Sequence, residues 1–106
     1  TKRARVSEGL SLASGAKASV AEYVASNNIW PSSNASAGLA TDTDIKGNGV
    51  TKVGVSGSGV ITVTFNDKVE NGKTLIVTPT TTAGGVTWDC KGGDLNSKYR
   101  PAECRP

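Results

Sequence analysis

An α+β fold is the expectation for this chain: one long N-terminal helix packed on a four-stranded antiparallel sheet, closed by a C-terminal disulfide loop. Three observations carry it. Apolar residues recur at steps of three and four over residues 2–27, and the period changes to two between Val50 and Cys90. The only two cysteines, Cys90 and Cys104, lie at the end of the alternating region and near the end of the chain. At 106 residues the length is that of one domain, with residues 2–27 as helix, 28–49 as surface loop, 50–90 as sheet and 90–104 as disulfide loop.

In the helix, Val6, Leu10, Ala13, Ala16, Val20 and Val24 form one apolar stripe, with Ala21 beside it. Lys2, Arg3, Arg5, Glu8, Lys17 and Glu22 lie mostly off the stripe. The Ala content favours helix. Gly9 and Gly15 oppose it by up to about 1 kcal/mol each, so packing has to make up the difference. Asn27-Asn28 followed by Trp30-Pro31 ends the segment, because Pro31 turns its predecessor away from the α region. Residues 31–49 are rich in Ser, Asn, Ala, Gly, Thr and Asp, and are expected to form a solvated surface loop. Asn34-Ala35-Ser36 matches an N-glycosylation sequon, a pattern short enough to arise often by chance.

Strands are expected at Thr51–Val55, Val60–Phe65, Lys73–Thr78 (ended by Pro79) and Val86–Cys90, joined by Gly- and Asn-rich turns. Ile61, Val63 and Phe65 share one face, as do Val86, Trp88 and Cys90. That face packs on the helix and the Thr-rich face meets water. Trp88 is expected in the core, over the helix and the disulfide.

A small domain with five aromatics and no Met has a thin core, and a covalent staple would help it. Two cysteines allow one intrachain pairing, and the absence of CxxC and of His weakens a redox or metal-binding reading. The disulfide implies an oxidising compartment. Its closed loop would contribute about 3 kcal/mol in the chain-entropy model. The formal charge of +3 is carried by Lys2, Arg3 and Arg5, leaving nine basic against nine acidic residues. No basic patch on the folded body is therefore expected, and DNA binding should be weak or absent. No apolar run reaches the length of a membrane span. Without His, and with Asp42 and Asp44 lacking a ligand set, neither catalysis nor a cofactor or metal is expected.

Ala4-Arg5-Val6-Ser7-Glu8-Gly9-Leu10 resembles the exposed helix half of type IV pilins of the a subclass. Ile29-Trp30-Pro31 and Ser36-Ala37-Gly38-Leu39-Ala40 resemble the loop after that helix, Asp44-Ile45-Lys46-Gly47 the approach to the first strand, and Gly72-Lys73-Thr74-Leu75 the opening of the third. Val86-Thr87-Trp88-Asp89-Cys90 and Lys98-Tyr99-Arg100-Pro101-Ala102-Glu103-Cys104 resemble the borders of the family's C-terminal disulfide loop. The loop is short for the subclass, and the family's hydrophobic helix half, with its processing site and buried glutamate, is not among these residues. The chain therefore reads as a fragment, with any membrane contact made through that missing segment.

The resemblance implies the pilin fold and a structural subunit of a bacterial type IV pilus. Its partners would be identical subunits in a helical filament on the bacterial surface, anchored in the inner membrane before assembly. Such filaments serve adhesion, twitching motility, biofilm formation and, in some species, DNA uptake. Subunit contacts are expected from residues 31–49 and from the Cys90–Cys104 loop. Ser36 occupies the place where some members carry an O-linked glycan. In some relatives the disulfide loop binds host-surface glycans, which makes Lys98, Tyr99, Arg100 and Pro101 candidates for receptor or subunit contact. Alternatively, these residues only pin the loop to the body. A minor pilin, a secretion-system pseudopilin, or a small exported DNA- or glycan-binding module are the competing readings.

Overall fold

The computed structural model describes residues Thr1–Pro106. Helix α1 spans Lys2–Asn27, and the Thr1 hydroxyl caps it by accepting the Ala4 N–H at 3.2 Å. Asn28 closes it in the left-handed region (φ 56°), its N–H donating to the Val24 carbonyl. The buried face is Val6, Gly9, Ala13, Ala16 and Val20, with Leu10 and Val24 half-buried at its margins. The stripe legible in the sequence is thus the core face, recentred to include Gly9. A Cβ at Gly9 would stand 3.0 Å from Phe65 Cε1 and 3.2 Å from Val50 Cγ2. The glycine that weakens the isolated helix is what lets it settle onto the sheet.

The sheet is antiparallel throughout, in the order β1 (Val50–Ser56), β2 (Val60–Phe65), β3 (Thr74–Thr82), β4 (Gly85–Gly92). Val53, Val55, Ile61, Val63, Phe65, Leu75 and Val77 point from it into one core with the helix face, Leu95 and Cys104. Trp30 covers the β1–β2 turn. A Cβ at Gly59, where φ is +72°, would lie 2.7 Å from the indole. Trp88 is half-buried against the core, with Lys17 Nζ of the helix 6.0 Å from its ring centre.

Two expectations need correction. The third strand does not stop at Pro79: β3 runs to Thr82 and Pro79 pairs with Trp88. The pairing of β2 with β3 ends at Val77, so beyond that point one edge of β3 is free and a residue without an N–H is tolerated there.

The second correction concerns the loop after α1. Asn34 is only 9% exposed, not part of a solvated segment. Its Nδ2 donates to the carbonyls of Ala40 (2.9 Å) and Val53 (3.1 Å), and its Oδ1 accepts the Val55 N–H at 2.6 Å. One side-chain amide therefore does what a neighbouring strand would do for the edge of β1, and covers a surface otherwise open to pairing. A glycan on Nδ2 would remove one of its two donated hydrogen bonds, so this arrangement and an N-linked sugar at Asn34 exclude one another. Asn34→Ala should lower the unfolding free energy by about 2 kcal/mol, because the Val55 N–H loses its partner; urea melts of the two proteins measure it.

Candidate functional site: the C-terminal loop and its surroundings

After β4 the chain folds back through two short turns of 3-10 helix, Ser97–Tyr99 and Ala102–Cys104, and closes with the Cys90–Cys104 disulfide, Cα–Cα 4.8 Å. The pairing expected from the cysteine count is therefore present. Inside the loop lies a feature that the sequence did not reveal. Arg100 is 1% exposed, among the most buried large side chains in the protein. Its guanidinium has no carboxylate partner and is satisfied by backbone alone. Nε donates to Leu95 O (2.9 Å), Nη1 to Lys91 O (2.8 Å), Gly92 O (3.0 Å) and Cys104 O (3.2 Å), and Nη2 to Gly93 O (2.8 Å). A planar group with several fixed donors can gather carbonyls from both sides of the loop in this way. Arg100 thus pins the loop and offers no side chain to a partner, which removes it from the contact residues expected above.

The rest of the loop is tied to the β2–β3 region. The Leu95 N–H donates to Thr74 O at 2.9 Å, and the Asn96 N–H to Glu70 Oε1 at 2.7 Å. A Cβ at Gly93, where φ is +92°, would collide with the Thr74 carbonyl, so only glycine passes there. Asp94 accepts the Thr74 N–H (2.7 Å) and hydroxyl (3.0 Å), and pairs with Lys73 at 3.8 Å. The Thr74 backbone bond, more than any other contact, holds the Asp94 carboxyl below its ordinary pKa.

Around residues 98–101 the loop presents a basic and an aromatic group. Lys98 is exposed, while Tyr99 and Pro101 are half-buried. Lys98 Nζ and Lys2 Nζ each stand 5.1 Å from the Tyr99 ring centre, and Arg3 Nε donates to Lys98 O at 3.0 Å. The fold thus joins the basic N-terminus of α1 to the basic end of the chain. This is the patch that charge counting along the sequence did not foresee. Ser36 sits far from it along the chain, exposed on the loop after α1. Its hydroxyl accepts from Ser33 Oγ at 3.1 Å, beside a groove of about 380 Å³ that includes Glu22, Tyr23 and Asn27. No three His, Cys, Asp or Glu side chains are grouped so that they could hold a metal ion, and no helix is long and apolar enough to cross a membrane.

The architecture is a long helix on a sheet, with the chain's last turn clasped to the last strand by a disulfide and a buried arginine. Residues 2–105 match the model of the pilin family, described as a bacterial filament family, and the chain belongs to it. It is 37% identical over 110 residues to the fimbrial protein EcpC of Eikenella corrodens, covering 97% of this chain and 70% of that one. It is 35% identical over 128 residues to the type IV major pilin protein PilE of Neisseria gonorrhoeae, covering 99% and 76%. A fimbrial protein of Neisseria meningitidis is 36% identical over 131 residues with the same coverage. The fold described above is accordingly the pilin fold, and the family is one of structural subunits, not enzymes.

Two outcomes test this account of the loop. Arg100→Lys should lower the unfolding free energy by about 2 kcal/mol, because an ammonium offers three donors where five carbonyls now accept; a urea melt unchanged from the parent would refute it. The Asp94 contribution has a defined sign. A carboxyl with a depressed folded-state pKa stabilises above its unfolded pKa of about 3.9 and loses that effect as pH falls through the folded value. Stability measured against pH should therefore fall less steeply below about pH 4 in Asp94→Asn than in the parent.

Proposed function

We propose that the chain is the structural subunit of a bacterial type IV pilus, assembling with identical copies into a surface filament that serves adhesion, twitching motility and biofilm formation. The observation that carries this reading is the family match over residues 2–105 together with the similarity to type IV major pilins along nearly the whole chain. In this reading the helix-on-sheet body is constant scaffold, and the loop after α1 and the C-terminal loop meet neighbouring subunits. Ile29 supports the first of these contacts. It is the one large hydrophobic side chain left exposed, at 61%, and it stands where the helix gives way to the loop. Lys98, Tyr99 and Pro101 are the residues of the C-terminal loop available to a host-surface glycan. Ser36, exposed and outside any secondary-structure ladder, is an accessible acceptor for an O-linked sugar in the native host.

Filaments purified from the native host test the proposal together. Deleting the gene should abolish surface filaments and twitching, whereas pili that persist in normal number would mark a minor pilin. Loss of secretion with pili intact would mark a pseudopilin. A cryo-EM reconstruction should show Ile29 and both loops against neighbours, and both loops free of contact would refute the assembly role given to them. The intact mass of the subunit should exceed that of the bare polypeptide, and Ser36→Ala should remove the excess.

A further inference from the structure

The sheet has two outer edges, and the fold treats them differently. Along β1 the Asn34 amide donates to Val53 O and accepts the Val55 N–H, and the short turn Asp42–Asp44 packs beside the strand. Along β4 the C-terminal turn covers the second half. Cys90 is bonded to Cys104 there, and Arg100 Nη1 donates to Lys91 O and Gly92 O. The first half, residues 85–88, pairs with β3 on one side and has no strand on the other. This hairpin projects past the end of β2, whose pairing with β3 stops at Val77.

Open edges are ordinarily kept from pairing by charged side chains, a proline, a bulge or a covering segment. None of these acts at residues 85–88. No charged residue occurs between Lys73 and Asp89. The hairpin's proline, Pro79, stands on β3 and blunts the free edge of that strand alone. The irregularity in register falls between Ile76 and Thr78, away from the tip. Lys17, the cation near Trp88, lies over the ring, which packs against the core. Val86 and Thr87 are β-branched and suit a further strand beside them.

We infer that residues 85–88 pair antiparallel with the same stretch of a second copy of this chain, joining two sheets edge to edge. An antiparallel edge is self-complementary, because a two-fold axis brings each outward N–H to an outward C=O of its mate. An unrelated extended peptide fits less well. Such peptides gain specificity from side-chain pockets beside the edge, and the exposed member here, Thr87, offers only a small hydroxyl. Copies within one helical filament meet head to tail and point the same way along its axis, so no such two-fold relates them. The second copy therefore belongs to another filament. The inference rests on the filament reading proposed above and adds a lateral contact to it. So short an edge holds two isolated domains weakly, with a Kd on the order of 1 mM. Repetition along two filaments multiplies the effect.

The test is an NMR dilution series of the 106-residue chain, together with electron microscopy of filaments from the native host. As the concentration approaches about 1 mM, the amide signals of Val86, Thr87 and Trp88 should move, while those of β1 stay fixed. Thr87→Lys and Thr87→Glu each set like charges near one another across the two-fold, and each should weaken pairing roughly fivefold or more. Mixing the two variants should restore it, which a folding defect could not do. Filaments carrying Thr87→Lys should remain as numerous as in the parent but lie singly. Parent signals that do not change with concentration would overturn the self-pairing and leave the filament reading standing. Shifts that persist in both variants, or a mixture that fails to pair, would overturn the assignment to this edge. Loss of the filaments themselves would place the edge inside a filament and overturn the lateral contact.

Discussion

Close approach of helix and sheet is the constraint on which the other features rest. The seam of α1 sets Gly9, Ala13 and Ala16 between Val6 and Val20, so its backbone lies low over β1 and β2 and the two layers share one core. With a single Phe, no Met and both Trp only half-buried, that core has little bulk to spare. A bulkier seam would lift the helix and open the cavity that Phe65 and Val50 now close. The same seam fixes how α1 lies on the sheet. It thereby sets the basic turn around Lys2 and Arg3 beside the C-terminal loop, and Trp30 over the β1–β2 turn.

Two loops extend from this body, and each is secured by one buried, planar, polar side chain bonded to backbone. Asn34 completes the open edge of β1, and Arg100 gathers carbonyls from Lys91 to Cys104. In both cases the anchor fixes the path together with a few further backbone bonds and core contacts. The disulfide acts on the unfolded chain by restricting it, whereas Arg100 acts on the folded chain by satisfying carbonyls that would otherwise be buried unpaired. The two restraints are therefore complementary in how they stabilise the loop.

The elements themselves were largely legible. The end of α1 at Asn27 was legible because the apolar period, the absence of Pro before residue 31 and the Asn27-Asn28 stop all agree. The strands around Ile61, Val63 and Phe65 matched because a period of two with β-branched residues has no competing reading. The misjudged end of β3 followed from treating Pro79 as a terminator, when the sheet around it decides whether its missing N–H matters. Asn34 was misread, and Arg100 was left between contact residue and anchor, for a related reason. In the sequence they are ordinary polar residues of loops, and only their distant partners, Val53, Val55 and Cys104, make them structural.

By itself the sequence determined the periodicities, the one available cysteine pairing and the absence of His, since each of these is a property of composition and spacing along the chain. The tertiary structure alone decided which charges would meet. Lys2 and Arg3 stand about a hundred residues from Lys98 and Arg105 along the chain, and counting signs along the sequence set the first pair apart as excess charge while cancelling the second against acidic residues. Packing of α1 on the sheet, and of the last turn on Cys90, brings them around Tyr99 with no carboxylate between. Electrostatic character is set by distances in space, and those exist only once the core has formed.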